Sequence, residues 1–306
     1  VDVLLRVIPF FLLIAVGAVV ARAKLIDLAG ARALSSYVFW IAFPALLIHS
    51  LSHSPPPNAH MAASLGAYAM AMAAPLAVIL ILGRVLGWKH EERCGSAMAA
   101  IGGNTAFLGA PLAIALFGQV ASAQAAAVVA IDCTVIMLIA TATLRSASND
   151  GSWRRIALLT ATHPLVIAAL LGVGMSYAGV VAPGPIDQAL STLRATASPV
   201  GLIALGVVMG LEVGRPAAGE AQPVAGAVIG KLLLAPVLVW FATSLVSADP
   251  VFRNTATLLA ACPTAVSVFI QTRTLNVFAK GGAMAVVLAT AVSVVTLPLL
   301  GAWLAR

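Results

Sequence analysis

AAIGGNTAFLGAPLAIALFG at 99–118 and LAACPTAVSVFIQTRTLN at 259–276 are two apolar stretches, each interrupted well inside by a helix breaker. Gly102-Gly103 favours non-helical backbone. Pro263 removes a backbone donor and frees the carbonyl four residues back. A residue suited to capping follows each break, Asn104 in one stretch and Thr264 in the other. Each stretch therefore reads as two half-helices, restarting at Asn104-Thr105 and at Thr264-Ala265. Two half-helix N-termini meeting at one depth would each carry about half a positive charge and several unpaired N–H groups, which suits a carboxylate. The half-helix C-termini would offer carbonyls to a cation.

Those breaks matter because the rest of the chain reads as membrane-embedded. Of 306 residues, 61% are hydrophobic and 9% charged, too little polar surface for a soluble domain of this length. Leu65–Leu82, Ala121–Leu144, Leu158–Val181 and Gly282–Leu304 each approach or pass the roughly 20 residues that cross a bilayer. The pattern predicts an all-α integral membrane protein of ten spans: 3–22, 34–51, 62–87, 94–118, 121–144, 156–181, 188–212, 223–247, 253–276 and 280–305. The first is read as a span rather than a cleavable signal, because its apolar run is long and more helices follow. Non-helical backbone at membrane depth persists only where protein or water satisfies it, so interrupted spans 4 and 9 mark an interior.

Positive charge sorts by loop. Arg22, Lys24, Arg32, Arg84, Lys89, Arg93, Arg145, Arg154, Arg155, Arg215, Arg273 and Lys280 lie in or beside loops after odd-numbered spans, against Arg6, Arg194, Arg253 and Arg306 on the other side. This bias predicts both termini outside and the central loop cytoplasmic. It also explains the net charge of +7 without nucleic acid, since the basic residues are scattered through short loops rather than gathered on one face. The chain divides into a first five-helix repeat (1–145), a cytoplasmic connector (146–155) and a second repeat (156–306). An odd number of spans per half inverts the second, and spans 4 and 9 are matched fourth elements.

GGNTAFLGAPL (102–112), FPALLIHSL (43–51) and CPTAVSVFIQTRTLNVFAKGGAMAVVLATAVSVVTLPLLGAWL (262–304) resemble segments of the auxin efflux carrier family, which includes bacterial malonate transporters and the plant PIN carriers. The resemblance implies ten helices in two inverted repeats and a secondary transporter of a small organic anion, a malonate-like mono- or dicarboxylate. Spans 1, 2, 6 and 7 would form a scaffold and homodimer surface. Spans 3–5 and 8–10 would form a core that moves as an elevator, with helices 4 and 9 crossing at the site. Departures from the plant carriers are Gly103 in place of a proline, His163-Pro164 in place of Asn-Pro, and a short central loop. They place the chain nearer the bacterial members, in a bacterial-type inner membrane among its lipids.

The expected substrate-binding residues are Gly103, Asn104, Thr105, Pro263, Thr264 and Ser267. Asp132 in span 5 and Lys231 in span 8 are intramembrane charges, costly enough to imply a role or a mutual pairing. Asp132 could serve a proton or cation, and Lys231 could substitute for an ion or contact substrate. Thr290, Ser293 and Thr296 are weaker candidates, because hydroxyls in membrane helices usually bond their own backbone or a neighbouring helix. Arg273 reads as a topology charge. Coupling to H⁺ or Na⁺, or none, is open, and so is the direction of transport.

No cofactor and no metal are expected. His49, His53 and His60 in HSLSHSPPPNAH flank a proline triplet that predicts an extended connector, and Cys94, Cys133 and Cys262 lack metal-ligand spacing. No GxxxxGK[ST], HExxH or GxSxG pattern occurs, which argues against ATP-driven transport and against an enzyme. A sodium-coupled carrier of the bile-acid/sodium symporter type is the alternative, although acidic and amide residues are sparse for sodium sites.

Overall fold

In the computed structural model, residues 2–148, 164–211, 219–246 and 249–305 are described, with side chains from residue 5 onward. Positions 149–155 of the expected connector, residues 156–163 of span 6 (His163 included) and Arg215 fall outside them. Every extended element among the described residues is helical. They are α1 (Asp2–Arg22), α2 (Leu28–Ser52), α3 (Ala59–Val85), α4 (His90–Ile101), α5 (Thr105–Phe117), α6 (Ala121–Ser146), α7 (Pro164–Ala178), α8 (Gly184–Leu211), α9 (Ala221–Val246), α10 (Pro250–Ala260), α11 (Val266–Thr274) and α12 (Ala279–Leu304). Seven of these, α1, α2, α3, α6, α8, α9 and α12, are long and apolar enough to cross a membrane.

Large apolar side chains stand exposed along these helices, including Leu12 and Val19 on α1, Ile81 and Val85 on α3, and Leu245 on α9. Lipid tolerates that surface where water would not. The protein is thus a multi-pass membrane protein. Its interior is packed by small residues. α1 runs along α8 so closely that a Cβ on Gly206 would overlap the Ile14 carbonyl, and one on Gly17 the Ile203 carbonyl. Small residues that allow backbones to touch supply the packing that hydrophobicity cannot drive between helices in lipid.

Both expected interruptions are present. The segment read as span 4 is α4 followed by α5, and the one read as span 9 is α10 followed by α11. The capping assignment needs correction. Asn104 precedes α5 without a side-chain cap, and the residue before α11 is Ala265 rather than Thr264. The breaks instead satisfy each other. Gly103 and Thr264 form an antiparallel bridge, with the Asn104 N–H donating to the Pro263 carbonyl at 2.7 Å and the Ala265 N–H to the Gly102 carbonyl at 2.9 Å. Two non-helical segments left separate would expose these groups at several kcal/mol each in hydrocarbon.

Three other helices carry a π-helical turn: Val38–Ala42 in α2, Asp132–Ile136 in α6 and Gly230–Leu234 in α9. A fourth, Thr105–Gly109, opens α5. Such turns widen the helix and recur at functional sites. Here they carry Thr105, Asp132 and Lys231.

Candidate functional site

The site forms where the two breaks meet. α4 ends at Ile101 because Gly102 leaves the helical region (φ −73°, ψ 88°). α10 ends at Ala260, short of Pro263, whose missing N–H frees the Leu259 carbonyl; the Cys262 N–H takes that carbonyl at 3.1 Å. Both C-terminal ends are satisfied by side chains from elsewhere. The Thr264 hydroxyl donates to the Ala99 carbonyl of α4 at 3.0 Å, and the Lys231 ammonium donates to the Ala260 carbonyl of α10 at 2.8 Å.

Lys231 is fully buried. Its π-helical turn in α9 aims it at the electronegative end of α10, where a cation is favoured. It also lies against the break in the other half: a Cβ on Gly103 would stand 2.6 Å from the Lys231 Nζ. A side chain at 103 would therefore push the Lys231 ammonium from its position.

Asp132 lies across the site on α6. Its Oδ1 accepts from the Tyr68 hydroxyl of α3 at 2.7 Å, while its buried Oδ2 has no hydrogen-bond partner. Lys231 acts on it through its charge, and the Thr105 side chain lies close enough to hydrogen-bond with it. Asp132 and Lys231 are thus neighbours, but Tyr68 holds the carboxylate and the Ala260 carbonyl holds the ammonium. Sequence reading singled out both charges because each interrupts an apolar run. It missed Tyr68, whose only sequence signal was a hydroxyl in the middle of an Ala-rich span, where a buried tyrosine needs a partner.

A cavity of about 40 Å³ lies at this junction, room for a few water molecules. Its lining brings together Gly103, Asn104, Thr105, Ser267 and Asp132 from the expected set. Pro263, Thr264 and Lys231 are buried just behind, as the structural partners of the breaks. The Asn104 Nδ2, also buried, has no hydrogen-bond partner, so an unpaired donor and the unpaired carboxylate oxygen of Asp132 belong to one small polar space. Thr290 and Ser293 bond back to the Val286 and Thr290 carbonyls of their own helix and leave the candidate set.

Three phenylalanines that sequence reading did not pick out close the cavity toward α8. Phe43 stacks on Phe107 with centroids 4.9 Å apart, and Phe39 meets Phe107 edge-on at 5.5 Å. Phe107 also packs against Gly201 of α8. Its carbonyl, freed by Pro111, accepts from the Ser198 hydroxyl at 2.8 Å.

Two larger cavities flank this wall. One of about 320 Å³ is lined by Arg32 and Ser35 of α2, Val208 of α8, and Phe269, Arg273 and Thr274 of α11. The other, about 220 Å³, is lined by Ser50 of α2, Arg194 and Ser198 of α8, Ala106 and Pro111 of α5, and Ser122 of α6. Arginine stands in both.

A family model described as "Membrane transport protein" matches residues 2–156 and 153–301. The "Putative malonate transporter" of Rhizobium meliloti (strain 1021) is 29% identical across 95% of this chain and 92% of its own length. With both stretches matched, together covering nearly all of it, the chain belongs to this family of membrane transporters, the auxin efflux carrier family.

Proposed function

We propose that this membrane transporter carries a small dicarboxylate of the malonate type as a secondary carrier, binding it where the two broken helices cross. The observation that carries the reading is the buried Lys231 ammonium beside Gly103, just behind a cavity that is lined by the unpaired Asn104 amide. α5 and α11 both begin at this junction, and their N-terminal N–H groups favour an anion. The relative's name supplies the substrate class.

The finer architecture belongs to the same reading. Ten spans form two inverted repeats in a bacterial-type inner membrane, with both termini outside. α1, α2, α7 and α8 act as a dimeric scaffold, and the remaining helices act as a core that shifts as an elevator. The cavity, about 40 Å³, is small for a dicarboxylate, and on this reading the site widens toward the larger cavities as the core shifts. Asp132 takes up a proton as the anion arrives, which removes the repulsion between the two negative groups.

The sodium-symporter alternative has less support, because the ammonium of Lys231 already sits on a helix C-terminal carbonyl where a bound cation would be expected. Purified protein in proteoliposomes tests the proposal. Radiolabelled malonate should accumulate in response to a proton gradient, with the same rate in sodium and in choline buffer. Strict sodium dependence would overturn the coupling assignment, and failure of malonate and every other C2–C5 carboxylate to move would overturn the substrate class.

A further inference from the structure

Away from the crossing, the end of α2 and the start of α8 bring together His49, His53 and Asp187. The first two lie one helical turn apart, in the last turn of α2 and just beyond it. Asp187 lies in the first turn of α8. The two imidazoles stack with centroids 4.3 Å apart and planes 16° from parallel. His49 Nε2 is 3.7 Å from Asp187 Oδ1, and His53 Nε2 is 3.5 Å from Asp187 Oδ2. One donor atom from each residue fits within 4.8 Å of the other two.

Hydrogen bonding fixes the orientation of His53. Its Nδ1 lies 2.8 Å from the His49 backbone carbonyl, which can only accept, so Nδ1 carries the proton. In the neutral ring, Nε2 then directs a lone pair at a carboxylate oxygen. A proton on Nε2 would remove that conflict, but 3.5 and 3.7 Å exceed the spacing of a charge-assisted hydrogen bond, about 2.7–2.9 Å. Protonating both rings would stack two like charges, with Arg194 also acting on His49 from two turns along α8. These gaps are closer to the ligand–ligand edge of a tetrahedral zinc site, with each imidazole facing a different carboxylate oxygen. Metal–ligand bonds of 2.0–2.1 Å give an edge of about 3.3–3.4 Å.

We propose that His49, His53 and Asp187 form a binding site for a zinc-class divalent ion that ties α2 to α8. Two imidazoles and one carboxylate are ligands for a borderline transition metal, whereas calcium and magnesium take all-oxygen sets. The proton of His53 Nδ1 on a backbone carbonyl is the outer hydrogen bond that metal-bound histidines usually make. The Asp187 Oδ1 and the His49 Nδ1, both buried, have no hydrogen-bond partner, and the ion would engage the first of these. His53 is the exposed member, which leaves an approach from solvent and a fourth position for water. The spacing of the histidines was visible in the sequence. The third ligand was not, because it lies 134 residues beyond His53 on another helix. The proline triplet that argued against a site begins only after His53, and His60 beyond it plays no part.

The test uses the full chain, purified in detergent and stripped with chelator. Titration with zinc alone should show one saturable site per chain and a rise in melting temperature, with no rise for magnesium or calcium. Cobalt should give the visible bands of a tetrahedral site. Asp187→Asn and His53→Ala should each weaken zinc binding by at least about 100-fold, while His60→Ala binds as wild type. Wild-type zinc affinity in both ligand variants, or no saturable binding to the wild-type chain, would overturn the proposal. If a variant folds poorly, the cobalt spectrum of the other decides: retained tetrahedral bands reject the site and their loss supports it.

Discussion

Lys231 shows how one side chain can replace an ion. Desolvating an ammonium costs several kcal/mol, and here it is offset by the Ala260 carbonyl and the negative end of α10. Lys231→Met keeps the volume and removes the charge. Malonate affinity should fall about 30–150-fold, equivalent to ~2–3 kcal/mol for one charged partner. Isothermal titration with malonate measures this, and unchanged affinity would remove Lys231 from the anion's surroundings. Asn104 separates binding from folding more cleanly. Its amide nitrogen is buried without a partner, so Asn104→Ala should leave the melting temperature unchanged or slightly raised, yet weaken binding about tenfold, ~1.4 kcal/mol. A thermal-shift titration with malonate reads both quantities in one experiment; a large fall in melting temperature would make Asn104 a structural residue. Asp132, Lys231 and Asn104 were legible in the sequence because charge and amide are conspicuous in apolar runs. Tyr68 and Asp187 were not, since each acquires meaning only from a residue 64 and 134 positions away, respectively.

At the scale of elements, the breaks in the fourth and ninth expected spans were visible from Gly102-Gly103 and Pro263, but their internal geometry was not. Local capping rules assigned Thr264 to its own helix. The fold uses that hydroxyl on the Ala99 carbonyl of α4, because pairing of Gly103 with Thr264 turns each break into the other's hydrogen-bond partner. That pairing spans 161 positions and leaves no local pattern. The π-helical turns were equally hidden, since no residue type announces them. Gly206 and Gly210 stand at the four-residue spacing that lets membrane helices approach closely, but that spacing does not say which helix approaches, and in the fold it is α1. Here the structure makes a severe demand: Gly206→Leu would drive a side chain into the Ile14 carbonyl. Overpacking of this kind costs about 1–3 kcal/mol or more. The variant should melt several degrees lower, or elute as aggregate on size exclusion, while Gly174→Leu, where a Cβ meets open space, should not. Equal melting temperatures for the two variants would show that α1 can slide away from α8.

For the whole molecule, hydrogen bonds sort the loops into two ends. The His90 side chain reaches the Ser146 carbonyl, and Trp88 reaches Gln222, at the end where Arg32 and Arg273 line one cavity. At the other end, Tyr177 donates to the Pro57 carbonyl, Arg6 to the Ala115 carbonyl and Gln124 to Asp249. The cavities with Arg273 and with Arg194 both lie where α2 and α8 meet other helices, α11 in the first and α5 and α6 in the second. If the proposed carrier exposes its site alternately through these cavities by an elevator motion, the core slides along the boundary with α2 and α8, and chemical staples test whether it does. Tyr37 of α2 and Thr196 of α8 hydrogen-bond at 2.8 Å within the proposed scaffold, whereas Ala106 of α5 and Ser198 of α8 line one cavity between the proposed core and scaffold. In a chain freed of Cys94, Cys133 and Cys262, the pair Tyr37→Cys/Thr196→Cys should retain transport after a bifunctional thiol reagent joins them. The pair Ala106→Cys/Ser198→Cys should lose it, and regain it when a cleavable linker is reduced. Full transport with α5 stapled to α8 would mean that the core does not move against the scaffold, and the site would have to open by local motion of α5 and α11 alone.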